Sequence, residues 1–417
     1  MSLVTAPAHL SPSVRTASAD LLSLALMDAR NQTLALLARW QAAQEIARVE
    51  VAREGPHELP EWIAGHIAWF ADWWIGRNPR RGLGRACPPD APRLPPTQAM
   101  ADRWYHPLLS PRESRWDMPL PTLDEVRADL LETLERTLDL LEHAPPDDDG
   151  LYFFRAALFH EDLRCEQLLR QAQALGVRAG RPMPPAGVAR EPLVMPACTW
   201  TLGAVQGGFA FDVERGAHDE RVPEFEIDAQ PVSWGQFVEF VDDGGYDRAE
   251  LWHPQGWTWL EAITRSEGRR GPRHVDQIGV ASGAVMQTVF GRATRMAAQQ
   301  PVMHVAWWEA DAWCRWAGRR LATEVEWDIA AARAASRGFR WGDVHEWTAG
   351  TLRPWPGFTP DPWTLHGDFA AEPVFGQARV LRGTSFATSS RLGWPTRRGF
   401  ALPDRDDGFV GFRSCAV

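Results

Sequence analysis

The chain changes character once, and sharply, between residues 176 and 196. This stretch, GVRAGRPMPPAGVAREPLVMP, is dense in proline and glycine, which deny it both a helical hydrogen-bond ladder and a strand. Ahead of it run long segments with apolar residues at three- and four-residue spacing. Behind it such patterns shrink to short pieces, interleaved with glycine, proline and tryptophan. Its 417 residues, against roughly 100 to 200 per domain, agree with two cores rather than one. The expected class is therefore α+β, with a four-helix bundle over residues 17–175, a linker over 176–196 and a loop-rich mixed domain over 197–417.

The spacing predicts four helices ahead of the linker. The first spans about Ala17 to Gln44, with Ser18 or Asp20 able to cap its start. The second, about Glu61 to Gly76, places Ile63, Ile67, Phe70 and Trp74 on one side, with His66 beside them. From Asn78 to about Arg115 the chain carries Pro88, Pro89, Pro92, Pro95 and Pro96 and reads as a loop. Thr122 is a natural N-cap for a third helix, about Leu123 to His143, whose apolar series is Val126, Leu130, Leu134, Leu138 and Leu141. The fourth begins near Leu151, and Phe154, Ala157, Leu158, Cys165, Leu168, Leu169 and Ala172 make one buried stripe along it. His160 lies close to that stripe. His66 and His160 are thus placed to face each other across the bundle, as metal ligands or as hydrogen-bonded core histidines. Beyond the linker, helical patterns remain only at about Trp307–Ala317 and Glu324–Ala334.

Composition narrows the function. A net charge of −10 argues against nucleic acid, whose phosphates call for concentrated lysine and arginine. No apolar run of about 18 residues is present, so no membrane-spanning helix is expected, and residues 1–20 lack the plan of a signal peptide. A cytoplasmic location is the expectation. The five cysteines are odd in number, scattered and never spaced as C-x-x-C, which argues against a disulfide framework or a structural zinc site. Twenty-two tryptophans against three tyrosines suit a loop-rich domain with a sizeable pocket.

The second half contains PEFEIDAQPVSWGQFVEFVDDGGYD (Pro223–Asp247), PVMHVAWWEADAWCRWAGRRLATEVEWDIAA (Pro301–Ala331), HEWT (His345–Thr348), LRGTSF (Leu381–Phe386) and GFVGFR (Gly408–Arg413). Together these resemble the C-type-lectin-like fold of formylglycine-generating enzymes. The first half contains GHIAWFADWW (Gly65–Trp74) and LYFFRAALFHEDLRCE (Leu151–Glu166), which resemble a DinB-like bundle. Over almost the whole chain, the combination resembles the EgtB family of non-heme iron sulfoxide synthases and its selenoneine-synthase (SenA) relatives. The resemblance implies an oxidoreductase that uses Fe(II) and O2 to join sulfur or selenium to C2 of the imidazole of hercynine (trimethylhistidine), with a thiol or a selenosugar as donor. A copper-dependent thiol oxidase, the other activity of this fold, needs a cysteine pair near the C-terminus, where Cys415 stands alone.

In that family three histidines hold the iron, one on the GHIAWF helix and two in an H-x-x-x-H-x-E motif. His66 matches the first, His160 the second, and Glu166 the trailing acid. Arg164 stands in the place of the third histidine, where a permanently protonated guanidinium has no lone pair to give a metal. The third position is then open to a carboxylate, Glu161, Asp162 or Glu166, in a two-histidine, one-carboxylate set, or to water; helical geometry sets Glu166 well off the His160 face and turns Glu161 and Asp162 elsewhere. Substrate contacts are expected from Trp347, Trp355, Arg398 and Phe400, with Trp394 as a further aromatic able to face a quaternary ammonium. A homologue of altered function that keeps only an aromatic betaine pocket is the alternative reading.

Overall fold

The computed structural model describes residues 7–279 and 283–417. Helix α1 covers Ala19–Ala47, α2 Pro60–Ala71, α3 Ala101–Tyr105, α4 Leu123–Glu142 and α5 Tyr152–Ala174. The long helices pack in a ring in which α2 lies between α4 and α5, and α1 touches the same two from the other side. Thr122 caps α4 as its sequence predicts: its Oγ1 accepts from the Glu125 amide at 3.3 Å, and the Glu125 carboxylate accepts from the Thr122 amide at 2.8 Å. Ser18 occupies the N-cap of α1 without a side-chain hydrogen bond. No helix among the described residues is long and apolar enough to cross a membrane.

Two departures from the expected bundle shape the surroundings of His66. First, α2 does not run straight to Gly76. It gives way to a π turn over Asp72–Gly76, in which the Arg77 amide bonds the Asp72 carbonyl at 2.7 Å, and this re-aims Trp73 and Trp74. Second, the proline-rich segment is not free loop. It contains α3, and Asp102 on α3 accepts from Trp69 Nε1 at 2.8 Å while pairing with Arg77.

The second half alternates short strands and helices: β1 (Leu193–Met195), β2 (Cys198–Leu202), β3 (His218–Val222), β4 (Phe225–Ile227), α6 (Trp234–Asp242), α7 (Pro254–Glu267), β5 (Val275–Gly279), β6 (Ala284–Val289) and β7 (Arg292–Met296), then α8 (Trp307–Trp316), β8 (Arg320–Leu321), α9 (Glu324–Arg333), β9 (His345–Thr351), β10 (Arg379–Arg382), β11 (Arg398–Ala401), β12 (Val410–Phe412) and β13 (Ser414–Cys415). One sheet has the order β1-β4-β13-β8 and another β11-β10-β9-β12, with β9 and β12 parallel. The α+β class expected from the sequence is the class observed. Helices α6 and α7 were not expected. The buried face of α7 consists of only Gly256, Leu260 and Ile263, too sparse a stripe to announce a helix.

One large hydrophobic core runs through both halves, because α5 is buried on every side. Its apolar stripe packs into the bundle. On its other flank Phe159 meets Phe209 and Trp394 with ring centroids 4.9 and 5.4 Å apart. Burying both flanks of a helix that carries Arg155, His160, Glu161, Asp162, Arg164 and Glu166 requires every charge to find a partner, since an unpaired buried ion is strongly disfavoured.

Candidate functional site

His66 and His160 meet in the bundle with ring centroids 5.2 Å apart. Each is clamped by aromatic rings: His66 lies between Trp62 at 4.7 Å and Trp69 at 5.3 Å, and His160 stacks on Phe70 at 3.9 Å. His66 Nδ1 donates to the Tyr105 carbonyl at 2.9 Å, which leaves its Nε2 as a lone-pair acceptor with no hydrogen bond among the described residues. The contact explains the glycine in GHIAWF. A Cβ at Gly65 would lie 2.2 Å from the Tyr105 ring, so any larger residue would push away the segment that orients His66. Burial, reinforced by the Arg164 charge, holds both imidazoles well below their ordinary pKa, so they are neutral at pH 7.

Position 164 faces the same space. Arg164 Nε donates to His160 Nε2 at 3.3 Å, and Nη1 reaches Gln167 Oε1 at 2.7 Å and Asp368 Oδ2 at 2.6 Å. The guanidinium lies over Phe369 with its carbon 4.7 Å from the ring centre. His66, His160, Arg164, Asp368 and Phe369 line a cavity of about 490 Å³ between the bundle and the segment 362–369, with Trp69, Phe70, Trp73, His106 and Trp363 among its walls. Asp368, held by the Arg164 charge, has its carboxyl pushed down to about 2.

The three carboxylates of the α5 motif point away from the histidines, as helical geometry predicts. Glu161 accepts from Arg30 Nε at 2.9 Å and Thr33 Oγ1 at 2.6 Å on α1. Asp162 is bracketed by Arg391, Nε at 3.0 Å and Nη2 at 2.6 Å. Glu166 accepts from His345 Nε2 at 2.6 Å, which joins the trailing acid of the α5 motif to the first residue of HEWT. Successive residues of an α-helix point about 100° apart, so these three fan out to α1 and to the second half instead of converging on His160. Among the described residues no group of three or more His, Cys, Asp or Glu side chains is placed to hold a metal ion.

The expected substrate contacts also lie away from the cavity. Trp347 is 1% exposed in the core, its Nε1 donating to the Val305 carbonyl at 2.9 Å. Trp355 packs in a second, separate core, and one face of its ring carries the Arg398 guanidinium at 4.2 Å. Arg398 itself is ion-paired with Glu324 at 2.9 Å. Phe400 sits on β11 opposite Val380, and Trp394 Nε1 turns to the buried Glu214. The aromatic walls around the histidines come instead from GHIAWFADWW and from Trp363 and Phe369. The first of these was visible in the sequence, as a tryptophan-rich run that a single apolar stripe does not need.

The Glu166–His345 contact sets a pH dependence. Burial alone would raise the Glu166 carboxyl, but His345, aided by the Arg397 and Arg170 charges, outweighs it and brings it down to about 2. A carboxyl depressed in the folded state stabilises fully above its unfolded pKa, near 4.3, and the stabilisation is lost as pH falls toward 2. The Glu166→Gln variant is expected to lose on the order of 2 kcal/mol at pH 7 relative to the parent chain. The gap should close between about pH 5 and 2 in urea titrations, and a gap independent of pH would contradict the assignment.

A helical bundle sharing one core with a mixed domain, with His66 and His160 on the cavity beside segment 362–369, makes a two-domain α+β protein. The sulfatase-modifying factor enzyme 1-like domain family matches residues 186–343. The hercynine oxygenase of Mycolicibacterium smegmatis is 31% identical, over 84% of this chain and 89% of that protein. That of Mycolicibacterium thermoresistibile is 31% identical over 93% of each, and that of Mycobacterium tuberculosis 30% identical over 84% and 89%. The chain belongs to the hercynine oxygenase family.

Proposed function

We propose that this protein is an oxidoreductase-type enzyme acting on hercynine, and that it joins sulfur or selenium from a thiol or selenosugar to C2 of the imidazole. The observation that carries the reading is the match to hercynine oxygenases along 89% or more of their length. In such a step the C2–H and the donor S–H or Se–H bonds break and a C–S or C–Se bond forms. O2 accepts the four electrons, one oxygen atom going to the chalcogen and the other leaving as water. The cavity suits the substrate: Trp69, Phe70 and Trp363 offer rings to a trimethylammonium group.

Fe(II) is part of the proposed chemistry, and His66 and His160 are the residues that would hold it. The match to a three-histidine centre is incomplete. Arg164 takes the third place, its Nε engages the His160 lone pair, and its fixed charge opposes a cation. No step is therefore assigned to the metal. Arg164 also favours a second reading, an altered-function homologue that binds the betaine without this oxidation.

One sequence of measurements separates the two. Hercynine is titrated calorimetrically, Fe(II) is added without oxygen, and O2 and a thiol or selenosugar donor are admitted last, with mass analysis of the product. Binding and then a product carrying the donor's chalcogen is the expected result. Binding without such a product selects the second reading, and no binding of hercynine overturns both.

A further inference from the structure

We infer that Arg164 seats the carboxylate of the substrate and that Asp368 occupies this seat when the substrate is away, an inference that rests on the hercynine reading. Arg164 is 2% exposed as a residue, yet it lines the cavity, and its guanidinium is aimed by three fixed contacts: His160 on Nε, Gln167 on Nη1 and the Phe369 ring on its face. Nη2 makes no hydrogen bond among the described residues. A buried, preoriented guanidinium with an open edge is a carboxylate receptor, since its planar fork matches two carboxylate oxygens.

Its present partner has the marks of a place-holder. The Asp368 side chain is 54% exposed against 3% for that of Arg164, and no other side chain among the described residues bonds its carboxylate. The burial is thus lopsided: the cation is built into α5, and the anion comes from an exposed segment of the second half. A substrate carboxylate reaching Nη1 and Nη2 would replace Asp368 without disturbing what orients the arginine. Hercynine carries its carboxylate and its trimethylammonium on one carbon, so the aromatic walls beside Arg164 receive the second group when the first is seated. The distinction between hercynine and an amine lacking the carboxylate is then made at position 164.

The test compares hercynine with its decarboxylated analogue, N,N,N-trimethylhistamine, by calorimetric titration of the full-length protein. The parent chain is expected to prefer hercynine by about tenfold or more, the usual weight of a charge-assisted pair in a partly enclosed site. In Arg164→Gln the preference should fall to about one, with the affinity for the analogue unchanged. The Asp368→Asn variant leaves the arginine intact and removes its competitor. It is expected to bind hercynine more tightly and the analogue no differently. A preference that survives in Arg164→Gln, or hercynine affinity that does not rise in Asp368→Asn, overturns the inference while leaving the hercynine reading standing. Failure of the parent chain to bind hercynine at all overturns both.

Discussion

Replacing Glu346 by alanine is expected to cost about 3–5 kcal/mol of folding stability, and replacing Arg413 by alanine a similar amount. Glu346 is the acid of HEWT on β9 and Arg413 closes GFVGFR just after β12, the parallel neighbour of β9. Both are fully buried and bonded twice, with Arg413 Nη2 at 2.7 Å from Glu346 Oε1. Trp327 Nε1 satisfies the same carboxylate at 2.9 Å, and the Asp228 and Arg340 carbonyls accept from Arg413 Nη1 and Nη2. Removing either partner strands a charge where water does not reach, and that penalty exceeds the worth of the pair itself. The double variant Glu346→Leu, Arg413→Met is therefore expected to recover part of the loss made by either single change. Urea unfolding of the three variants checks this. Single-variant losses under about 1 kcal/mol would mean that the charges are solvated in solution.

This pair shows what the sequence carried and what it did not. HEWT and GFVGFR were recognisable as motifs, and the fold they implied is the one observed. Their roles were not readable, because each side chain acts on a partner far along the chain: Arg413 lies 67 residues from Glu346, and His345 lies 179 from Glu166. Local periodicity reports which face of an element is apolar, and it placed α1, α2, α4 and α5 within a few residues. It is silent on a helix buried all round. For α5 the apolar stripe was correct, and helical geometry turned the acids of the opposite flank away from His160 without naming their partners. In the structure Glu161, Asp162 and Glu166 satisfy Arg30, Arg391 and His345. A buried carboxylate looks the same in sequence whether it holds a metal or an arginine, and only the partner decides.

Position 164 is where that ambiguity has the sharpest consequence. Arg164→His is expected to raise the affinity for Fe(II) on the order of 10–100-fold, the range through which even indirect ligand support moves metal binding. The reason is geometric. Residues 160 and 164 are one helical turn apart, and the Arg164 side chain already reaches His160 Nε2 at 3.3 Å, so an imidazole there would face the space shared by His66 and His160. The substitution supplies a lone pair, removes a fixed positive charge and frees the His160 nitrogen from the hydrogen bond that now engages it. Arg164→Gln removes the charge without adding an imidazole, and so divides the gain into its electrostatic and ligand parts. Anaerobic Fe(II) titration of the parent chain and both variants gives the comparison, with His66→Ala introduced into the histidine variant to abolish the gain. Equal affinity in all of them would place position 164 outside reach of the metal. A gain shared by the glutamine variant would assign the effect to the lost cation alone. A gain confined to histidine would mean that one residue of α5 sets whether this pair of imidazoles is completed as a metal centre or answers to a guanidinium.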